Sequence, residues 1–315
     1  MKREITGVLL LDKPAGISSN AALGRVKRLF EAAKAGHTGT LDPFATGLLP
    51  IALGEATKFS RFLLDARKGY RARLKLGVTT TTGDPEGAVV AQTRVCTTET
   101  QINAVLARFC GAQCQIPPMY SALKRDGVPL YKLARRGIEV ERTPRDITIY
   151  ELALHEWDGV DRLVIDVLCS KGTYIRVLAE DIGGALACGA HLDALRRTAA
   201  GGFAVDAAVT LDELEALDLA GREALLLPAE RLAADLPVVT LSLSLAGDIV
   251  HGRQVIWPGE DMDQGEYRVY RQDSVFLGVC RLECGRRPGE GKRLVPLRLM
   301  SHAGKDGIAQ PREFA

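Results

Sequence analysis

The stretch GHTGTLDPFATGLLPIALG, residues 36–54, has two textures. Gly36, Thr38, Gly39, Thr40, Asp42, Pro43, Thr46 and Gly47 neither continue a helix nor fill a strand, so the first half reads as a tight polar loop. Leu48 to Leu53 is almost wholly apolar and tethers that loop to a buried element. His37 and Asp42 are thereby presented on a stiff turn beside the core, an arrangement that fixes reacting groups at little entropic expense. A turn or capping role for Asp42 and a surface role for His37 fit the residue types equally well.

Outward from this loop, the chain alternates strand and helix signals. Ile5 to Leu11 reads as a buried strand, stopped by the turn at Asp12–Gly16. Ser18 and Ser19 are N-cap candidates for a helix whose face carries Leu23, Val26, Phe30 and Ala33, with Gly36 as its left-handed terminator. Tyr70 opens a strand in which Ala72, Leu74 and Leu76 alternate with Arg71, Arg73 and Lys75. Thr98 caps a helix that Gly111 stops. The segment 117–137 begins with two prolines, ends in a short basic helix and bears Tyr120 and Tyr131, so it reads as an arm outside the core. Two strand-like runs, Ile147 to Leu154 and Leu163 to Cys169, precede a helix containing Ile175, Leu178, Ala179 and Ile182. Acidic helical material reaches Asp235. From Leu236 the texture turns to short β-like pieces, which predicts a small all-β domain over 236–301 with 302–315 as a tail. Strands and helices interleaved without regular βαβ spacing predict an α+β fold with a mixed or antiparallel sheet.

Composition narrows the function. The chain has 315 residues, 46% hydrophobic and 25% charged, which is ordinary for a globular protein and allows two domains. No apolar run is long enough to span a bilayer and the start lacks a secretory cleavage pattern, so a cytoplasmic protein with no membrane partner is expected. Seven scattered cysteines suit a reducing compartment. The pairs Cys110/Cys114 and Cys280/Cys284 lack companions to complete a zinc site. The net charge of +2 hides segregation. Six basic residues against one acid lie between Arg61 and Lys75, and seven against three between Ser121 and Arg145, which suggests a polyanion met along one face. A merely solvated surface fits too. Neither a GxxxxGK[ST] nor a GxGxxG pattern occurs, which removes most nucleotide-cofactor chemistry.

Several blocks, in the same order, resemble the tRNA pseudouridine-55 synthase (TruB) family of pseudouridine synthases. They are LDKPAGISSN at 11–20, GHTGTLDPFATGLLPIALGEATKF at 36–59, KGYRARLKLGVTTTTGDPEG at 68–87, PPMYSALKRDGVPLYKLARRG at 117–137, CSKGTYIRVLAEDIG at 169–183 and HLDALRRTAAGGF at 191–203. Thr81, where an acid is frequent, and Phe44, where leucine is usual, depart from the pattern. The resemblance implies a pseudouridine synthase fold over 1–235, with 117–137 as an RNA-binding insertion, and a PUA-like module over 236–301.

It further implies that Asp42 is the catalytic aspartate, that Tyr70 stacks on the target base with a hydroxyl assisting proton removal at C5, and that Arg176 pairs with Asp42 and keeps it ionised. His37 is implied to fill the space of a flipped uridine, and Tyr174 and Leu195 to contact that nucleotide. Lys58 and Asp84 fall at polar positions near the site, and Lys13 and Pro14 form a motif that buttresses the loop. The implied reaction converts uridine in the T-arm loop of tRNA to pseudouridine. A carboxylate suits it as nucleophile or base, and it uses no metal and no cofactor. A monomer needing no protein partner is expected. A non-catalytic RNA-binding or RNA-folding protein on the same scaffold is the alternative.

Overall fold

In the structure, a computed structural model, residues 2–258, 262–285 and 291–301 are described. Strand β1 (Gly7–Lys13) leads to helix α1 (Ser19–Leu29), whose cap Ser18 accepts from the Ala21 amide at 3.1 Å. The left-handed residue after this helix is Glu31, at φ 51°, rather than Gly36, which lies inside β2 (Ala35–His37). His37 therefore ends a short strand and is not a loop residue. β3 (Thr46–Leu53) is buried at all but its first position. A 3-10 turn (Gly54–Phe59), α2 (Ser60–Asp65) and β4 (Lys68–Leu76) follow, then the hairpin β5 (Val78–Thr80) and β6 (Val89–Gln92).

Helix α3 (Glu99–Arg108) starts with a capping box between Thr98 and Gln101 and leads to β7 (Gly111–Gln115). The arm at 117–137 contains β8 (Lys124–Arg125), β9 (Val128–Pro129) and α4 (Leu130–Ala134). Then come β10 (Arg145–Trp157), β11 (Arg162–Cys169), α5 (Ile175–Ala185), β12 (Ala190–Ala200), β13 (Phe203–Ala204), β14 (Val209–Thr210), α6 (Leu211–Ala216) and α7 (Leu219–Ala224).

The central sheet runs β14-β1-β3-β12-β4-β11-β10-β7, with β2 added to β3 and β13 to β12. Its pairs are antiparallel except β1 with β14 and β3 with β12, so the sheet is mixed and largely antiparallel as expected. Beyond the short β2, β13 and β14, two of its longer strands carry no strand signal in the sequence. β7 is a small, polar edge strand, and in β12 register irregularities between Leu192 and Ala194 and between Arg197 and Ala199 break the alternation. Apolar residues pack on both faces. Along β1 and β3, Leu9, Leu11 and Ile51 cluster with Val26 and Phe30 on one face, and the alternate residues Val8, Leu10, Leu48 and Ala52 cluster with Phe59 on the other. Near-continuous apolar runs in β1 and β3 follow from that two-sided burial.

The C-terminal region forms a five-stranded sheet, ordered β15-β17-β18-β19-β16, from β15 (Val238–Leu241), β16 (Val255–Ile256), β17 (Gly265–Arg271), β18 (Phe276–Glu283) and β19 (Arg293–Leu299). Helix α8 (Leu243–Val250) packs on it, so the region is not purely β: Ser242 caps a helix where the sequence suggests that the first strand continues. The expected tail, 302–315, lies outside the described residues. This sheet shares a core with the preceding region. Phe59, Leu63, Leu232 and Ala233 cluster with Val279, and the rings of Phe59 and Phe276 lie 5.3 Å apart at 55°. All seven cysteines are free. Among the described residues no helix is long and apolar enough to cross a membrane.

Candidate active site

The Asp42 loop is pinned from three elements. Ser19, buried at the start of α1, holds Leu41 at both ends, its Oγ donating to the Leu41 carbonyl at 2.9 Å and accepting from the Leu41 amide at 2.8 Å. Lys13, at the end of β1 and fully buried, donates to the carbonyls of Pro14, Ile17 and Pro43 at 2.7, 2.9 and 3.3 Å. All three ammonium hydrogens are thus used, and one of them fixes the residue after Asp42. Burial, opposed by Asp42 and assisted by Arg197, brings the Lys13 pKa down to about 8. From β12, Arg197 donates through Nε to the Leu48 carbonyl at 2.6 Å and through Nη2 to the Gly39 carbonyl at 3.1 Å. Gly47 is required where β3 meets β12: its φ is 101°, and a Cβ there would lie 2.3 Å from the Arg197 carbonyl oxygen.

Asp42 meets Arg176, the second residue of α5, whose Nε is 3.2 Å from its Oδ2. The same guanidinium holds Asp84 through Nη1 at 3.1 Å and donates to the carbonyls of Thr82 at 3.2 Å and Tyr120 at 2.5 Å. Asp84 is itself fixed, its Oδ1 accepting from the Thr82 hydroxyl at 2.5 Å and the Glu86 amide at 3.1 Å. One arginine therefore ties the loop, the β5–β6 turn and the 117–137 arm together. The three members differ in access. The side chains of Arg176 and Asp84 are each 6% exposed, whereas that of Asp42 is 38% exposed.

Burial pushes the Asp42 carboxyl above its usual value. Arg176 opposes that rise, Asp84 adds to it, and Lys13 opposes it more weakly. The arginine alone does not set its ionisation, contrary to what the pairing by itself suggests, because desolvation is the larger effect.

Tyr70 is half-buried on β4 against the same cluster as Leu41, Ala45 and Leu195. Burial, partly offset by Arg197, holds its phenol above the usual value, so it is protonated at neutral pH. Leu195 is paired with Ala72 across β12 and β4 and is 9% exposed. Tyr174 caps α5, its backbone clamped by the Gln115 side chain, which accepts from the Tyr174 amide at 2.8 Å and donates to its carbonyl at 3.1 Å. Among the described residues the buried Nδ1 of His37 has no hydrogen-bond partner, and burial with Arg197 nearby lowers its pKa, which favours the neutral ring.

Comparison with known proteins gives this geometry a family. Residues 27–175 match the TruB family pseudouridylate synthase (N terminal domain), 176–234 the tRNA pseudouridylate synthase B C-terminal domain, and 237–300 the pseudouridine synthase II TruB, C-terminal. The chain is 54% identical over 302 residues to the tRNA pseudouridine synthase B of Chromobacterium violaceum, covering 96% of each chain. It is 50% identical over 305 residues to that of Methylobacillus flagellatus, covering 97% of this chain and 98% of the relative. The chain belongs to the TruB family of pseudouridylate synthases. Among solved structures it is similar to a chain of a Cbf5-Nop10-Gar1 complex, with a TM-score of 0.72 and 26% identity over 93% of this chain and 84% of that one.

Not every residue that the TruB resemblance singles out joins the cluster. Lys58 lies at the seam with the C-terminal sheet, bonded to Glu55 at 2.5 Å, the Leu299 carbonyl at 3.0 Å and the Ser301 hydroxyl at 2.7 Å. All its donors are spent there, so it is not placed to meet a nucleotide at Asp42. Asp84 acts on Arg176 and is too buried to present a carboxylate outward. Pro14 is exposed and contributes its carbonyl to Lys13.

The basic run from Arg61 to Lys75 is mostly neutralised. Arg61 pairs with Glu266, Arg71 with Asp166, Arg73 with Asp193 and Lys75 with Asp161, while Lys68 is buried. On and beside the arm, by contrast, Lys124, Lys132, Arg136 and Arg145 are exposed and make no ion pair among the described residues. Free positive charge of this TruB-family member therefore lies on the 117–145 segment, and also on α1, where Arg25 and Arg28 are exposed and make no ion pair among the described residues. Sequence reasoning missed Arg197 as a site residue, since nothing in LRRT separates a buried guanidinium from its half-buried neighbour Arg196, which pairs with Asp12.

Proposed function

We propose that this protein isomerises uridine to pseudouridine in the T-arm loop of tRNA, at position 55, with Asp42 as the catalytic carboxylate. The observation that carries the reading is the asymmetry around Arg176. Of the two carboxylates that share it, only Asp42 is open to a substrate, and it is held on a loop anchored by Ser19, Lys13 and Arg197. The reaction breaks the N1–C1′ bond of a uridine, forms a C5–C1′ bond and releases the C5 proton to solvent. A carboxylate serves either as nucleophile at the sugar or as the base that takes a sugar proton, and neither role consumes a cofactor.

The target base is flipped out of the loop to reach Asp42. Tyr70, with a neutral phenol, stacks on it and relays the C5 proton, while Leu195 and Tyr174 bound the nucleotide and the neutral His37 ring fills the space left behind. The unpaired cations at 117–145 receive the RNA backbone, so binding weakens steeply with salt. The protein works as a cytoplasmic monomer without a protein partner.

The test is tritium release from C5-labelled uridine in a minimal T-arm hairpin, wild type against Asp42→Asn, with no other protein added. Wild type releases one tritium per hairpin, and Asp42→Asn releases none while binding within about tenfold, or about 1.4 kcal/mol, of wild type. Release by Asp42→Asn at the wild-type rate refutes the role of Asp42. Release by neither, with tight binding by both, makes the protein an RNA binder on a retained scaffold.

A further inference from the structure

Among the described residues Arg197 is the largest fully buried side chain, 1% exposed, and it sits on β12 inside the central sheet. Among the described residues it has no carboxylate partner, its donors going to the Leu48 and Gly39 carbonyls. A guanidinium in that position is far more expensive than an apolar residue of similar length, since a buried charge compensated only by dipoles keeps a large desolvation penalty. Clamping two carbonyls explains some of that expense but not the charge, because a neutral donor can clamp too.

The strand register shows what else the group faces. Arg197 is the cross-strand neighbour of Tyr70 on β4 and of Gly47 on β3, so its side chain spans the ground between the stacking tyrosine and the Asp42 loop. The guanidinium lies close enough to the Tyr70 phenol to act on it, drawing its pKa down against burial. The same charge lowers the pKa of His37.

We infer that Arg197 positions Tyr70 for the chemical step, its guanidinium donating to the phenol oxygen so that the hydroxyl is turned away from β12 and any negative charge developing on that oxygen is stabilised. This inference rests on the reading of Tyr70 as the residue over the target base. Arg197 itself touches no substrate; it is a positioning residue that works through another side chain, in the way a preorganised donor aimed at developing charge stabilises a transition state.

The test is a double-mutant cycle on the rate of a single turnover at saturating hairpin, with Arg197→Lys, Tyr70→Phe and the double variant. Lysine keeps the charge but loses the planar fork. Arg197→Lys is expected to lower the single-turnover rate by about tenfold or more while hairpin affinity changes less than about threefold, and to change the rate by less than about twofold when position 70 is phenylalanine. Equal losses in both backgrounds, or no loss in the wild-type background, overturn the inference and leave Arg197 as a clamp on the loop. An inactive wild type would instead bring down the proposed function and is distinguished by that control.

Should Arg197→Lys not fold, the intact protein still answers. The slowly exchanging guanidinium Nε–H resonances of Arg176 and Arg197 are told apart by Asp42→Asn, which perturbs the former. Tyr70→Phe then shifts the Arg197 resonance if the contact exists, and an unmoved resonance overturns it.

Discussion

Replacing Asp84 with asparagine separates the two carboxylates that share Arg176. The amide keeps the size of the side chain and one acceptor oxygen, enough for the Thr82 hydroxyl and the Glu86 amide. At the other position, either an NH2 now faces the Arg176 Nη1 donor or the local contacts are exchanged. Removing one partner of a buried ion pair typically costs about 3–5 kcal/mol. Arg176 retains Asp42 and two carbonyls, which places the loss at the lower end, about 3 kcal/mol. For a chain of this size that lowers the melting temperature by about 4–5 °C.

The effect on chemistry has the opposite sign. Asp84 is one of the causes that raise the Asp42 pKa, and Arg176 opposes the rise. Without the Asp84 charge that contribution disappears and the guanidinium acts on Asp42 alone, so both changes lower the Asp42 pKa. The acid limb of single-turnover rate against pH therefore moves to lower pH in Asp84→Asn, although the protein is less stable. Thermal melts and a pH series on one hairpin substrate measure both quantities. An acid limb that stays put or moves up refutes the shared-arginine reasoning, as does a melting temperature unchanged within a degree.

Gly47→Ala forces a Cβ to within 2.3 Å of the Arg197 carbonyl oxygen at a φ of 101°, on a strand that cannot shift without breaking the sheet. A loss of about 3 kcal/mol or more and little soluble turnover are expected, and a wild-type denaturant midpoint would refute the packing argument. Glu55 is held down at about pKa 2, because hydrogen bonds from Lys58 and Ser301 outweigh the burial that would raise it from 4.5. Its folded pKa lies below the usual value, so its contribution is full above pH 4.5 and is lost as pH falls through about 2. Glu55→Gln should flatten the stability–pH curve in that window, as read by acid titration of the folded signal; an unchanged slope would count against the seam. Removing residues 236–315 lays bare Phe59 and its neighbours, each large side chain being worth about 2 kcal/mol. The truncated chain should melt well below the full one, and equal melting would show that the shared core is dispensable.

The Asp42 loop with the buried strand after it, the strand holding Tyr70 and the helix carrying Arg176 were legible because each obeys a local rule. Glycine and proline exclude regular structure, period-2 alternation marks a half-buried strand, and an apolar face at helical spacing marks α5. The resemblance of ordered motif blocks then pointed to Asp42, Tyr70 and Arg176, which the fold brings to one place from positions 42, 70 and 176. Less was legible at β12, where irregular register hides alternation, and at α8, where a cap converts an apolar run into a helix.

By itself the amino-acid sequence determined the α+β class, the stiff aspartate loop and the basic, tyrosine-bearing arm, since propensity, turn chemistry and hydrophobic period act over a few residues. Only the tertiary structure decided which charges are free. Pairing with acids far along the chain cancels four of the cations at 61–75, while Lys124, Lys132, Arg136 and Arg145 make no ion pair among the described residues. It also decided that Lys58 belongs to a seam, that Arg197 is buried beside Tyr70 across two strands, and that Asp42 rather than Asp84 faces outward. The ion pairs that cancel the cations at 61–75 join residues 86 to 205 positions apart, and no local window of sequence contains both partners.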